Sequence, residues 1–313
     1  MNEPLERLLA RTLVIVTGKG GVGKSTVAAA LGLAGARRRR RTLIVEVAAQ
    51  DRLSRVFRTS GVGYEPAPIA PNLWAMSIDP QTALEEYLEL QLPSRRLAAM
   101  VSHSRIFGSL AAATPGMREV VTLGKVWYTV NEGRDDGAPR WDLVIVDAPA
   151  TGHGVAFLQS ARTFAEVAKV GPVANQSRTI DAMLTDGEST AVCLVAMPEE
   201  MPVNEAAEMH GVLEEDLGVA VGALVVNGCY PRRFDDAELA RLVEHDDGEG
   251  PIRAAAAMER RARLHAEQVA RLESATGEVA IRLPFLFRRA LDLTAMRQLA
   301  TALESRVALR SAG

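Results

Sequence analysis

Short apolar runs alternate with longer helical patterns along this chain. Five runs have the β-branched and aliphatic composition of buried strands, and they cover residues 13–17, 43–47, 143–146, 192–196 and 223–226. A helix is predicted from Lys24 to about Arg37, after the first run and its glycines. The pattern predicts an α/β fold, doubly wound, with a mostly parallel sheet covered by helices on both faces.

Two long segments interrupt this rhythm because they contain no clear strand. Residues 80–131 and 157–184 show helical patterns, and we predict that they form an added helical layer on the sheet. Residues 251–274 are rich in Ala, Arg and Glu and predict a long solvent-facing helix. We expect residues 1–313 to form a single domain, since this length can bury one sizeable core.

Composition excludes several functional classes. The chain has 48% hydrophobic residues, 4% aromatic residues and a net charge of -3, so we expect no nucleic-acid partner. Its two cysteines, Cys193 and Cys229, belong to no C-x-x-C pair, and we expect both to be buried. We expect no cleavable signal peptide, since a glycine-rich segment begins at residue 18, and no apolar run long enough to span a membrane. These features favour a cytoplasmic protein.

The glycine-rich segment carries the clearest chemistry. Residues 18–26 read GKGGVGKST, which fits G-x-x-x-x-G-K-[ST] between a predicted strand and a predicted helix. In such a loop, backbone N–H groups surround phosphate oxygens and the helix N-terminus adds about half a positive charge. Lys24 should bridge the β- and γ-phosphates of ATP, and Ser25 should hold Mg²⁺. The predicted nucleotide-binding residues in this loop are Gly18, Gly20, Gly21, Val22, Gly23, Lys24, Ser25 and Thr26.

A single aspartate completes the predicted metal site. Asp147 ends the apolar run WDLVIVD, where a Walker B residue is expected. From that position its carboxylate can hold Mg²⁺ through a water molecule. Asp147 and Ser25 are therefore the predicted metal residues, and Lys24 and Asp147 are predicted to be catalytic.

Two motifs resemble one ATPase family. With Lys19, the loop resembles the deviant Walker A pattern KGGxGK[ST]. Residues 147–153 read DAPATGH and are followed by Phe157-Leu158-Gln159. This segment resembles switch II of the arsenical pump-driving and tail-anchored-protein-targeting ATPases, with Thr151, Gly152 and His153 as the switch residues. The resemblance runs from about Leu13 to the last helix.

The resemblance implies further site residues and a dimer. It implies that Lys19 reaches the nucleotide of a partner subunit, as an arginine finger does in trans. It implies that Glu199, after the fourth strand, also contacts nucleotide across the dimer. Asn227 should recognise adenine through its amide, and Pro284 lies in a turn expected near the base. Pro115 and Gly116 match the start of a helix in the family.

Switch I departs from the family pattern. The family places a water-positioning aspartate after the second strand, and Val47 stands near that place here. A general base contributes roughly 10²–10⁴-fold to a rate, so hydrolysis is slow unless Glu46, Gln50 or Asp51 takes over. Gln50 is included among the candidate catalytic residues because glutamine orients water in other P-loop enzymes. The zinc-binding C-x-x-C of the targeting ATPases is also missing, so we expect no dimer held by shared zinc. The sequence has no cysteine cluster suited to arsenite either, so we do not expect arsenite as a ligand.

Three functions remain open at this point. The first is a dimeric ATPase that couples ATP binding and hydrolysis to the binding of a hydrophobic protein or membrane-protein client. The second is a slow or non-hydrolysing nucleotide-gated subunit that pairs with a paralogue. The third is a partition or division-type ATPase. A homodimer and a heterodimer are both compatible with the motifs.

Overall fold

The structure is a computed structural model that describes residues 3–47, 52–59, 61–102, 104, 114–149, 154–168, 171–244 and 250–305. Eight strands form one sheet: β1 (Leu13–Thr17), β2 (Thr42–Val47), β3 (Ala67–Ala70), β4 (Leu73–Ile78), β5 (Leu143–Asp147), β6 (Thr190–Ala196), β7 (Val221–Cys229) and β8 (Ile281–Pro284). Their order across the sheet is β3-β4-β2-β5-β1-β6-β7-β8. Neighbouring strands are parallel except for β3 and β4, which are antiparallel.

The helices described between these strands are α1 (Glu3–Ala10), α2 (Lys24–Arg37), α3 (Arg52–Phe57), α4 (Pro80–Gln91), α5 (Arg95–Ser102), α6 (Met117–Asn131), α7 (Gly154–Val167), α8 (Pro172–Thr185), α9 (Glu200–Gly211), α10 (Asp236–Glu244), α11 (Pro251–Thr276) and α12 (Leu293–Glu304). A short π-helical segment, Val212–Asp216, continues α9. No helix in these ranges combines the length and the apolar composition that spanning a membrane requires.

Strand β1 is buried on both faces at the centre of the sheet. Leu13 and Ile15 contribute to one hydrophobic core, and Val14 and Val16 contribute to the other. Alternate side chains of a strand point to opposite faces, so two buried sets require a helical layer on each side. This confirms the predicted α/β, doubly wound, mostly parallel fold.

The two cores receive different helices. The core that contains Val14 includes side chains of α1, α2, α3 and α12. The core that contains Leu13 includes side chains of α4, α6, α7, α8, α9 and α11. Helices α4, α6, α7 and α8 therefore pack on the second face. Helix α12 packs against α2 and β8 on the first face.

Three strands and one helix differ from the predictions. Strands β3, β4 and β8 were not predicted, and they extend the sheet at its two edges. Helix α11 was predicted to face solvent, but it buries one face that includes Glu259, His265 and Leu272. Polar residues on that face hid its burial in the sequence pattern.

Candidate active site

The glycine-rich loop leaves the central strand β1 and enters α2 with its backbone tightly constrained. Gly23 is the N-cap of α2 and has φ 91°, a conformation that side chains other than glycine rarely adopt. A Cβ atom at Gly18 would lie 2.2 Å from the carbonyl oxygen of Val195 on β6. Glycine at position 18 therefore lets the loop pass close to the neighbouring strand.

Lys24 lies inside this loop. Its Nζ donates hydrogen bonds to the carbonyl oxygens of Gly18 at 3.1 Å and Lys19 at 2.9 Å. Burial lowers the pKa of Lys24, the nearby Asp147 carboxylate raises it, and the positive charge of Arg52 lowers it. The ammonium group is held at the centre of the loop, where phosphate oxygens are expected.

Asp147 lies beside this loop because of the register of the parallel strands. It is paired with Val16 on β1 and with Glu46 on β2, and it is 7% exposed. Burial raises the pKa of Asp147 to about 6, a hydrogen bond with the Ser25 hydroxyl lowers it, and Glu46 raises it. Its Oδ1 is buried and has no hydrogen-bond partner within the described residues.

The Ser25 hydroxyl and the Asp147 carboxylate fit a magnesium ion. Both are oxygen donors, as Mg²⁺ requires, and the unpartnered Asp147 oxygen is the kind of buried polar atom that a bound cation or its water would satisfy. A metal ion would also favour the ionised form of Asp147.

Helix α3 is tied to the same region by Glu46. One oxygen of this buried carboxylate accepts hydrogen bonds from the backbone N–H groups of Arg52 and Leu53, each at 3.0 Å. The side chain of Arg52 turns back toward the loop, and its Nη1 donates to the Ser25 hydroxyl at 2.9 Å. Val47, the last residue of β2, is 4% exposed and has no polar side-chain group.

The two residues expected to act across a dimer are paired within their own chain. The Nζ of Lys19 forms an ion pair with Glu205 on α9, and both side chains are more than one third exposed. Glu199 precedes α9, and its carboxylate lies 3.4 Å from the guanidinium of Arg261 on α11. Both are partly exposed surface ion pairs, which contribute little to stability.

Asn227 reaches the loop from the other side. It lies within β7, where the sequence had placed it just after the strand, and its Nδ2 donates to the carbonyl oxygen of Val22 at 3.0 Å. A Cβ atom at Gly23 would lie 2.2 Å from the same Nδ2. The Asn227 amide therefore packs directly against the loop.

An aromatic cluster lies just after the ends of β7 and β8. Pro284 ends β8, opposite Cys229, and the N–H of Phe285 donates to the Cys229 carbonyl at 2.8 Å. The rings of Tyr230, Phe285 and Phe287 have centroids 4.9–5.4 Å apart. These rings form an apolar wall beside the strand that carries Asn227.

Some of the predicted site residues lie together in the structure, and others lie outside the described residues. The structure brings Lys24, Ser25 and Asp147 together, with Asn227 against the same loop. Gln50 and Asp51 of switch I, and Thr151, Gly152 and His153 of switch II, lie outside the described residues. Arg52 and Glu205 were not predicted; the only sequence signal for Arg52 was its position just after switch I.

The sequence of this chain is similar to those of known ATPases. The chain matches the family model described as anion-transporting ATPase over residues 11–171 and 165–245. It is 33% identical to ATPase BagA of Mycobacterium tuberculosis over 256 residues. This match covers 79% of this chain and 74% of that protein.

Two further relatives are more distant. Identity with ATPase get3 of Schizosaccharomyces japonicus is 31% over 187 residues, 55% of this chain and 54% of that protein. Identity with the arsenical pump-driving ATPase of Escherichia coli is 26% over 233 residues, 69% of this chain and 39% of that protein. The chain belongs to the anion-transporting ATPase family and is a nucleotide-binding ATPase.

Proposed function

We propose that this ATPase binds ATP with Mg²⁺ at residues 18–26, hydrolyses it in a nucleotide-gated dimer, and couples that cycle to binding of a hydrophobic protein segment. The observation that supports the proposal most directly is the convergence of Lys24, Ser25 and the unpartnered Asp147 oxygen at the end of the central strands. A phosphate-binding cation and two metal-binding oxygens are the parts that phosphoryl transfer needs.

Each group has a distinct role in this proposal. Backbone N–H groups of the loop and the N-terminus of α2 bind the phosphate oxygens. Lys24 neutralises charge on the β- and γ-phosphates and gives up its hydrogen bonds to Gly18 and Lys19 when it does so. Mg²⁺, held by Ser25 and Asp147, would neutralise further charge on the same phosphates.

The residue that positions the attacking water belongs to switch I. Glu46 is a poor candidate because it is 1% exposed and already accepts two backbone hydrogen bonds from α3. Val47 has no group that can take a proton. Gln50 is therefore the proposed water-positioning residue, and Asp51 is the remaining alternative. Turnover should be slow if neither residue positions the water.

Dimer closure is proposed from the position of Lys19. This side chain is anchored in the loop yet 38% exposed, so it can exchange Glu205 for a phosphate on a partner subunit. Glu199 is 48% exposed and can exchange Arg261 in the same way. A cation supplied in trans contributes about 10³–10⁵-fold to the rate in other P-loop enzymes.

Asn227, Pro284 and the adjoining aromatic rings are proposed to form the base side of the site. The Asn227 amide is fixed to the loop by one Nδ2 hydrogen bond, which leaves its other donor and its oxygen to meet the edge of adenine. Phe285 is 40% exposed and packs near Gly228, the residue after Asn227, so its ring offers an apolar surface on this side of the site.

The helical layer offers a place for an apolar client. A cavity of about 210 Å³ lies between α4, α6 and α8, and its walls include Leu84, Leu90, Val120, Trp127, Tyr128 and Val173. Leu90 is 67% exposed and Tyr128 is 46% exposed. A partly exposed apolar groove between helices is the surface that an amphipathic or apolar helix recognises.

The described part of the C-terminal region does not favour the membrane-seeking version of the partition or division-type alternative. Its membrane-seeking version needs an exposed amphipathic helix at the C-terminal end. In α12 the apolar side chains of Met296 and Leu299 are instead buried against α2 and β8. The slow, nucleotide-gated subunit remains the second candidate because Val47 ends β2 without a polar side chain.

Phosphate release from Mg-ATP in a single turnover tests the proposal, with protein in excess over nucleotide. The parent protein should release phosphate above background at a rate that rises with protein concentration, since two chains form each site. Lys19→Ala should bind nucleotide as tightly as the parent but lose about 10³-fold or more of the rate, whereas Lys24→Ala should lose binding itself.

Other outcomes separate the alternatives. A parent protein that retains ATP without releasing phosphate is a nucleotide-gated subunit that needs a different partner chain for turnover. A rate that is independent of protein concentration and insensitive to Lys19→Ala would rule out the trans role of that lysine.

A further inference from the structure

Arg52 places a guanidinium group at the hydroxyl that the proposed function assigns to Mg²⁺. Its Nη1 donates to Ser25 Oγ at 2.9 Å. Its backbone N–H is fixed at the same time, because it donates to the Glu46 carboxylate at 3.0 Å. The arginine is therefore anchored at the start of α3, and its long side chain reaches across to the phosphate-binding loop.

The charge of Arg52 also influences the neighbouring Asp147 and Lys24. Burial has the largest influence on the pKa of both Asp147 and Lys24, and the Arg52 charge lowers the pKa of each of them. The geometry agrees with this influence: the guanidinium donates to the Ser25 hydroxyl, and the same hydroxyl is hydrogen-bonded to Asp147.

Arg52 and Mg²⁺ compete for the same place. A magnesium ion binds its oxygen ligands at about 2.0–2.1 Å in a strict octahedral shell. A guanidinium nitrogen at hydrogen-bond distance from the same hydroxyl would leave two cations in close contact, with strong mutual repulsion. The ion can bind Ser25 only when Arg52 moves away, and Arg52 is exposed enough to move.

We propose that Arg52 is an internal cation at the metal position: it binds nucleotide phosphates when Mg²⁺ is absent and is displaced from Ser25 when Mg²⁺ enters. This inference rests on the proposed roles of Ser25 and Asp147. A guanidinium matches phosphate oxygens through two parallel hydrogen bonds, and such charge-assisted bonds are strong. Nucleotide affinity is therefore less dependent on magnesium in this chain than the Ser25 and Asp147 pair alone would make it.

Nucleotide affinity measured with and without magnesium tests the inference. The probe is a fluorescent ADP analogue, bound to the full chain in EDTA and then across a Mg²⁺ titration. Arg52→Ala should weaken binding in EDTA by about tenfold or more. Mg²⁺ raises nucleotide affinity over some concentration range. Arg52→Ala should lower the midpoint of that range, because the competing cation has been removed.

Two variants control for charge and for folding. Arg55→Ala removes a cation from the same helix and the same cavity, so an equal effect of both variants would mean general attraction rather than a specific contact. Arg52→Lys keeps the charge but not the paired hydrogen bonds and should fall between Arg52→Ala and the parent. Equal thermal midpoints without nucleotide show that α3 is intact.

Failure of this inference can be distinguished from failure of the proposed function. If Arg52→Ala matches the parent in EDTA, or if the parent binds no nucleotide in EDTA, the role of Arg52 is wrong. If instead the parent gains no affinity from Mg²⁺, or Asp147→Asn gains as much as the parent, the assigned metal site itself is wrong.

Discussion

Lys19 is ion-paired with Glu205 of its own chain, although the two residues are 186 positions apart in the sequence. Both side chains are more than one third exposed, so the ion pair contributes only about 0.2–1 kcal/mol to stability. Any role of Lys19 toward a second subunit requires this pair to break first. Glu205 therefore restrains the lysine in the isolated chain.

Removing that restraint should speed the reaction. Glu205→Gln keeps the shape of the side chain and removes its charge, so we expect single-turnover phosphate release to rise about twofold to fivefold. Glu208→Gln, on the same helix α9, removes the same charge elsewhere and should leave the rate unchanged. A slower Glu205→Gln variant would instead mean that Glu205 holds Lys19 in its working position.

Two loop glycines with similar backbone angles should respond differently to alanine. Gly21 has φ +87° with no atom within 4 Å of an added Cβ, whereas Gly23 has φ +91° with Asn227 Nδ2 2.2 Å away. Both substitutions strain the backbone, but only Gly23→Ala also displaces Asn227. We expect Gly23→Ala to cost about 0.5–1.5 kcal/mol more than Gly21→Ala in denaturant unfolding without nucleotide, because the displaced amide gives up its hydrogen bond to Val22.

A double substitution checks the cause. In an Asn227→Ala background the amide is gone, and the extra cost of Gly23→Ala should largely disappear, since residues in contact are not additive. If Gly23→Ala costs the same in the parent and in the Asn227→Ala background, contact with Asn227 does not contribute to that cost.

Substitution of Leu90 tests whether the apolar groove binds a client. Leu90 lines the cavity and is 67% exposed, so Leu90→Asp should weaken binding of a hydrophobic helical peptide while leaving stability within about 0.5 kcal/mol of the parent. Leu264, on α11, is 57% exposed and lies outside the residues that line the groove. Leu264→Asp serves as the matched control, and equal loss of peptide binding by both variants would exclude this groove as the client site.

His265 should make stability depend on pH. It accepts a hydrogen bond from the backbone N–H of Tyr230, and burial and then Arg261 lower its pKa, opposed by Glu199. When the folded pKa lies below the unfolded value of about 6.5, the unfolded chain takes up the proton first. Stability from this residue is therefore complete above that value and is lost as pH falls below it.

A substitution isolates this contribution. His265→Asn keeps an acceptor for Tyr230 but cannot be protonated in this range. The difference in unfolding free energy between parent and variant should shift in favour of the variant from pH 7.5 to 5.5. Other titrating groups cancel in this difference, so a constant difference would mean that His265 does not contribute.

The two cysteines should be unreactive in the folded protein. Cys193 is fully buried and Cys229 is 4% exposed, and burial raises the pKa of each thiol to about 12. Because the thiolate is the reactive form, an aromatic disulfide reagent at pH 8 should label neither thiol on the folded chain and both in denaturant. Rapid labelling of one thiol would indicate local opening near that strand.

The central elements could be predicted from the sequence because each contains a local signal. The bounds predicted for β1 and α2 are the observed ones, since a buried strand, a glycine-rich turn and an apolar helix follow one another without interruption. The edge strands β3 and β8 are only four residues long and partly exposed. Such short strands lack both a long apolar run and a clear alternation.

Parts of the candidate site depend on contacts that no local pattern encodes. The P-loop motif identified Lys24 and Ser25. The apolar run that forms β5 identified Asp147, which stands at its end. The pairing of Lys19 with Glu205 and the approach of Arg52 to Ser25 arise only when α9 and α3 are packed beside the loop. Glu259 was likewise hidden, because a glutamate in a charged helix predicts solvent exposure rather than the buried carboxylate that accepts hydrogen bonds from the N–H groups of Arg233 and Phe234.

Both outer strands of the sheet contain a proline. Pro68 lies in β3 and Pro284 ends β8, and each of these strands has only four residues. Proline has no N–H group for a further strand to bond, and short edge strands resist edge-to-edge pairing. Two copies of this chain therefore cannot readily join by extending one sheet into another, and the proposed dimer would have to form through loops or helical faces.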